Sequence, residues 1–330
     1  CDWARCDLAC RYCISRVHRH ASTAAAHEGW AAAGSGERHR RIVEWISRLP
    51  FEVGVRLQTI GEPLLSDDVL MRAGLLSRQP RTRFVELVTN GAALPRRLPT
   101  LLEHCRPDRV SLWITHHAGQ VAAEDLADHA ALARDAGLSV VVNALAFPQT
   151  LDAIDDLCHL CRQRHIPVNL DLGLDVDALR QGFSGIPVLQ EPFVGRLRAL
   201  PGGRDAERHA ALGRAPRGRP CSAGRDYIFI AQDGGVYPCW ASSKSRPQAR
   251  TGSALDPDFL PPTAAGYAPC PVSSPCICAE DLSHLAGYGL AGPRTTSIRW
   301  ATASPAGGAP ASDAPLVPAA DGRREKAGPS

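Results

Sequence analysis

Arg83-Phe84-Val85-Glu86-Leu87-Val88-Thr89-Asn90-Gly91 reads as one strand and the turn that stops it. Its apolar residues make a short run, and Asn90-Gly91 supplies the two residue types that most readily take left-handed backbone. A helical pattern precedes it at 66–78 and another follows at 95–105. The same unit repeats outward. Upstream, a helical pattern at 37–48 leads into an apolar run at 51–59, broken by Gly61-Glu62-Pro63. Downstream come a strand at 109–115, a helix at 122–136, a strand at 139–147, a helix at 151–164 and a strand at 167–172. Strands alternating with helices of this length predict an α/β fold, a parallel sheet with crossover helices. Five strands are counted this way, and a short one at 1–5 would make six. In such folds function gathers at the carboxyl ends of the strands. Gly61-Glu62-Pro63, Thr89-Asn90-Gly91 and Thr115-His116-His117 all fall there.

The rest of the chain divides by composition. Between 175 and 219 the periodicity weakens while Gly, Pro and Arg accumulate, which predicts a bridge. At 227–230 and 236–239 two short strand-like runs flank Gln232-Asp233-Gly234-Gly235, a strong hairpin signal. From about residue 291 to 330 Ala, Pro, Gly and Ser dominate, too little apolar surface to offset ordering entropy, so a disordered tail is expected. The domains expected are thus 1–174, a bridge at 175–219, a cysteine-rich module at 220–290 and a tail at 291–330. The chain starts at Cys1 and its one methionine is Met71, as expected of a fragment. A net charge of +3 without a basic stripe argues against a nucleic-acid partner, and no apolar run is long enough for a membrane span.

Twelve cysteines are many for 330 residues. In an α/β chain of cytoplasmic character, the localisation expected here, metal binding is their more natural use than disulfides. Four lie in the first 13 residues and five between Cys221 and Cys278. Cys6, Cys10 and Cys13 form C-x3-C-x2-C, with Tyr12 just before the last cysteine. Cysteine thiolates at short spacing let one loop wrap an iron–sulfur cluster, and three of them on four irons leave one iron open to a further ligand. A structural zinc site is the plain alternative.

This motif resembles the signature of radical S-adenosylmethionine (radical SAM) enzymes. The resemblance implies a partial (β/α)6 TIM-like barrel and a [4Fe–4S] cluster on Cys6, Cys10 and Cys13. It implies a SAM molecule chelated to the open iron and cleaved reductively to a 5′-deoxyadenosyl radical. Tyr12 would lie beside the adenine. Thr59-Ile60-Gly61-Glu62-Pro63 resembles the family's Gly-Gly-Glu-Pro motif, with Ile60 in place of one glycine. There Gly61 would let the backbone approach the ligand, and Glu62 would pair with the methionine ammonium. Asn90 is placed at SAM by a similar family segment, although an Asn-Gly turn explains it equally. Ser111 sits where relatives often put a serine at the ribose or carboxylate, but Trp113 stands where an acid often follows. Asn143 is a further polar strand residue, explained equally by internal hydrogen bonding.

Cys221, Gly234 and Cys239, spaced C-x12-G-x4-C, resemble the opening of the family's SPASM or twitch auxiliary module. Cys270, Cys276 and Cys278 supply the remaining candidates, and which two of them complete an auxiliary [4Fe–4S] cluster stays open. Four thiolates suit zinc as well. Cys158 and Cys161, three apart in a helix, read as core, Cys105 as inert, and Cys1 as an unassigned candidate. His116-His117 are candidates for a ligand contact. The resemblance implies a small carbohydrate-like or peptide substrate and an electron donor such as flavodoxin or ferredoxin. A non-catalytic zinc or iron–sulfur protein, or a relative that binds SAM without cleaving it, is the alternative reading.

Overall fold

The computed structural model describes residues 5–13, 35–180, 185–186, 189–262 and 266–288. The expected strand at 1–5 falls outside these apart from Arg5, as do Cys1 and the expected tail. Helix α1 (Ser35–Arg48) enters β1 (Val53–Leu57), and the units α2 (Asp67–Ser77), β2 (Thr82–Thr89), α3 (Leu94–His104), β3 (Val110–His116), α4 (Ala123–Asp135), β4 (Ser139–Ala146), α5 (Leu151–Gln163) and β5 (Val168–Leu172) follow. All adjacent strands pair in parallel, in the order β1-β2-β3-β4-β5. An order that never reverses lacks the switch point of a doubly wound sheet; it is the order of a barrel wall, here a five-stranded half-barrel.

Local chemistry explains the units. Ser66 caps α2, its hydroxyl accepting from the Val69 amide at 3.4 Å, and Asp67 and Asp68 sit in the first turn, where the helix dipole favours acids. Gly91 ends β2 with φ +72°. A Cβ there would stand 2.6 Å from Ile114 Cγ2, so the Asn-Gly turn is both conformational and steric. The outer faces of the strands bury Val85, Leu87, Leu112, Ile114, Val142 and Leu170 against Leu70, Leu101, Leu126, Ile154 and Leu157 of the helices. The alternate residues Phe84, Val88, Trp113, Thr115, Asn143, Leu145 and Asp171 face a cavity.

The expected bridge differs from a linker. It holds α6 (Val176–Arg180), α7 (Phe193–Ala199) and α8 (Gly203–Arg214), and Leu197, Leu200 and Ala206 join the main core. Pro192 and Gly202 stand at the N-caps of α7 and α8, so the breakers that hid the periodicity are the punctuation of short helices. Beyond lie β6 (Pro220–Cys221), β7 (Phe229–Ile230), β8 (Gly235–Tyr237), α9 (Trp240–Ser245), β9 (Gly252–Ser253), β10 (Ala268–Pro269) and α10 (Ala279–Ser283). The expected hairpin is β7-β8, turned by Gly234 at φ +82°, and β9 extends it. Trp45 of α1 fastens this region to the half-barrel, its Nε1 donating to the Phe259 carbonyl at 2.8 Å and its ring stacking on Phe259. Among the described residues no helix is long and apolar enough to cross a membrane.

Candidate active site

Each strand of the half-barrel delivers residues to one cavity of about 1500 Å³. Gly61 and Glu62 follow β1, Thr89 and Asn90 end β2, His117 follows β3, Phe147 follows β4, and Asp171 belongs to β5. Cys6, Cys10, Tyr12 and Cys13 line the same space, and the region after β6 closes it with Asp226, Tyr227, Trp240 and Lys244 among others.

The cysteine loop is tied to the strand ends. The Arg5 carbonyl accepts the Glu62 amide at 2.7 Å, Ala9 N–H donates to Gln120 Oε1 at 3.1 Å, and Asn90 Nδ2 donates to Asp7 Oδ1 at 2.9 Å. Cys13 N–H closes a turn onto the Cys10 carbonyl at 3.3 Å. Cys10 is buried, Cys13 half-buried and Cys6 exposed. Tyr12 packs its ring on Phe147, 4.7 Å between centroids, and on His117 at 5.8 Å. Burial, then the adjoining Cys10, pushes the Tyr12 phenol well above its usual range, so it stays protonated. Burial holds the His117 pKa down at about 4, so this ring is neutral at pH 7, and its Nδ1 has no hydrogen-bond partner among the described residues. His116 turns the other way and is satisfied by the Val121 carbonyl at 3.1 Å.

Glu62 is 2% exposed, and its carboxylate is the centre of a network. Oε1 accepts from Thr89 Oγ1 at 2.5 Å and Leu64 N–H at 3.0 Å, and Oε2 accepts from Asn90 N–H at 2.7 Å. These bonds favour the anion, yet burial prevails and lifts the pKa to about 7. A carboxylate can accept about four hydrogen bonds, so one position remains for a donor from the cavity.

Ser111 is buried, its Oγ without a hydrogen-bond partner among the described residues, one rung from Glu86, and is not on the cavity wall. Asn143 is on the wall, and its Oδ1 accepts from Asn169 Nδ2 at 2.7 Å. Cys158, Cys161 and Cys105 are core residues, as their helical placement predicts. Sequence reasoning missed Asp7, Gln120 and Phe147. It also missed Arg56 on the cavity wall, paired to Glu86 at 2.8 Å and lying 5.1 Å above the Trp113 ring. Glu86, an acid inside an apolar strand, was the one available signal.

The later cysteines separate. Cys221, Cys239, Cys270 and Cys276 are buried in a second, smaller core, around a space of about 10 Å³. Cys278 is half-buried and lines the large cavity, as Cys276 does too, but it takes no part in lining the small space. Cys239 also caps α9, its sulfur accepting the Ser242 amide at 3.3 Å. The Cys221 thiol and Cys270 share a hydrogen bond that draws the Cys270 pKa down and pushes that of Cys221 up. Burial raises Cys239 to about 11, with the Asp281 carboxylate adding to it.

The three thiols at the cavity rim, the free acceptor position on Glu62 and the aromatic face of Tyr12 fit a cluster with one open iron and a cationic nucleoside ligand. At the second centre the donor chemistry fits, but about 10 Å³ holds roughly one atom and would have to open for a cluster. Among the described residues no three His, Cys, Asp or Glu side chains converge on the position of a single ion.

No family model and no curated protein sequence matches the chain. Among solved structures it resembles BtrN in complex with AdoMet and 2-DOIA, at 19% identity, covering 76% of this chain and 74% of that one, with a TM-score of 0.39. It also resembles native anSMEcpe with bound AdoMet and Cp18Cys peptide, at 12% identity, covering 77% and 75%, with a TM-score of 0.48. Both of those proteins hold AdoMet, and the likeness is one of fold.

Proposed function

We propose that this chain is a radical SAM enzyme. What supports the reading most is the convergence of Cys6, Cys10 and Cys13 with Glu62 on one cavity at the carboxyl ends of parallel strands. Cys6, Cys10 and Cys13 would hold a [4Fe–4S] cluster, which with SAM supplies reductive cleavage to a 5′-deoxyadenosyl radical that takes hydrogen from substrate.

The chain's own residues do the rest. Glu62 offers its free acceptor position to the ammonium of SAM and, once a cation is beside it, holds its negative charge. Gly61 leaves the backbone approachable at that point. Tyr12, backed by Phe147 and His117, presents an apolar face to the adenine, and neutral His117 adds no competing charge. The buried apolar wall shields a reactive intermediate from water. A cavity of about 1500 Å³ exceeds the usual span of small-ligand sites, about 300–1000 Å³, which leaves room beside SAM for a carbohydrate-like molecule or a peptide side chain. A reducing cytoplasm and a flavodoxin- or ferredoxin-like electron donor complete the reading.

Cys221, Cys239, Cys270 and Cys276 would hold an auxiliary [4Fe–4S] cluster. Four buried thiolates also suit one structural zinc ion, a second reading for that centre alone, which like a cluster requires the four to draw together around it. Iron, zinc and acid-labile sulfide counted per chain separate the two.

The test is anaerobic reconstitution with iron and sulfide, addition of dithionite and SAM, and chromatography for 5′-deoxyadenosine. Its formation, abolished by alanine at Cys6, Cys10 or Cys13, is the expected result. An iron-loaded, brown protein that yields none would overturn the enzymatic reading.

A further inference from the structure

Asn90 is held by its backbone N–H and by both ends of its side-chain amide. Its backbone N–H donates to Glu62 Oε2 at 2.7 Å, and its side-chain Oδ1 accepts the Ala92 N–H at 2.9 Å. That fixes the amide, because turning it over would set Nδ2 against the Ala92 N–H and Oδ1 against a carboxylate. Nδ2 therefore faces the cysteine loop, where it donates to Asp7 Oδ1 at 2.9 Å and reaches Cys6 Sγ at 3.8 Å. Asp7 is steadied in turn by Arg96 at 3.5 Å. The whole arrangement lies on a buried residue, Asn90 being 5% exposed.

We infer that Asn90 is a positioning residue that donates a hydrogen bond to the Cys6 sulfur, aimed there by Asp7, and so sets the reduction potential of the cluster proposed above. This differs from the direct SAM contact that the family resemblance implies for it, and it rests on the radical SAM reading. An N–H donor withdraws negative charge from a thiolate sulfur and favours the reduced, more negative cluster. With three sulfurs from the protein on this centre, one such bond acts on a third of the thiolate charge. The Asn-Gly segment then has two duties. Gly91 makes the turn, and the residue before it carries an amide from β2 to the first ligand of the loop.

Two variants test this in the reconstituted full chain. Asn90→Ala removes the donor; Asn90→Asp keeps the Ala92 and Glu62 bonds but puts an acceptor where the donor was. Iron per chain and melting temperature establish that each variant folds and loads. The readout is the midpoint potential of the first cluster, followed by electron paramagnetic resonance during a redox titration, with Cys239→Ala as background to remove the second centre's signal. Both variants should shift the midpoint to more negative values, Asn90→Asp further than Asn90→Ala, while Asn90→Ala leaves SAM affinity close to wild type. A midpoint that stays put, or SAM affinity weakened about tenfold or more in Asn90→Ala, as loss of a direct charge-assisted bond would produce, overturns the inference. If the wild-type chain takes up no cluster, the radical SAM reading itself fails and the inference falls with it.

Discussion

The chain carries two groups of cysteines built from the same side chain in opposite ways. Cys6, Cys10 and Cys13 sit on one loop, graded from exposed to buried, at the rim of a large cavity. Cys221, Cys239, Cys270 and Cys276 come from separate elements, are all buried, and enclose almost nothing. A loop of closely spaced ligands can leave one side of a centre open, which is where chemistry enters. Ligands gathered from a strand, a helix cap and two loops close a centre on all sides and hold their module together. The difference predicts that the two groups fail differently.

The largest effect is expected from Cys10→Ala. It should abolish 5′-deoxyadenosine formation while the C-terminal centre keeps its metal, read as metal per chain in Cys10→Ala against Cys239→Ala. Loss of all metal from Cys10→Ala would break the division into two centres.

A smaller effect is expected at Glu62. Its folded pKa, about 7, lies above the ordinary value of 4.5, so the native state keeps a proton that the unfolded chain has lost. The apo chain therefore holds this contribution fully below about pH 4.5 and loses it as pH rises through about 7. Glu62→Gln should flatten that slope in denaturant titrations. It should also weaken SAM binding by about tenfold at pH 8, and by less at pH 6, where the wild-type group is mostly protonated. An affinity loss equal at both pH values would contradict a charge pair.

The smallest effect is assigned to Cys278→Ser. Both Cys276 and Cys278 line the large cavity, but of the two Cys276 alone also lines the small buried space, so metal in the second centre should be unchanged by this variant and lost in Cys276→Ser. The reverse result would redraw the closed centre around Cys278.

Much of the half-barrel was legible because its central strands β2, β3 and β4 are buried, largely apolar runs and its helices are set off by caps or breakers. Ser66 before α2 and Asn90-Gly91 after β2 are local signals that act within a few residues. The helices at 193–214 were missed since their breakers are dense and their arginines interrupt the apolar stripe. The three-cysteine loop, Glu62 and Asn90 were legible through motif. Their partners were not: Asp7 meets Asn90 across 83 residues and Ala9 meets Gln120 across 111, and linear spacing carries no trace of such meetings. The choice among Cys270, Cys276 and Cys278 was invisible for a related reason, since which way two thiols one residue apart point depends on the chain they pack against.

The bond from Trp45 to Phe259 spans 214 residues. Contacts of such separation carry a loop-closure entropy that only late, cooperative packing can offset, and a growing chain folds from its N-terminal side. The cysteine loop and the five strands are therefore expected to exist first as an uncovered trough. The wall that encloses it arrives only when the last third of the chain has left the ribosome. The loop proposed to hold the more fragile cofactor thus has the longer interval in which to receive it.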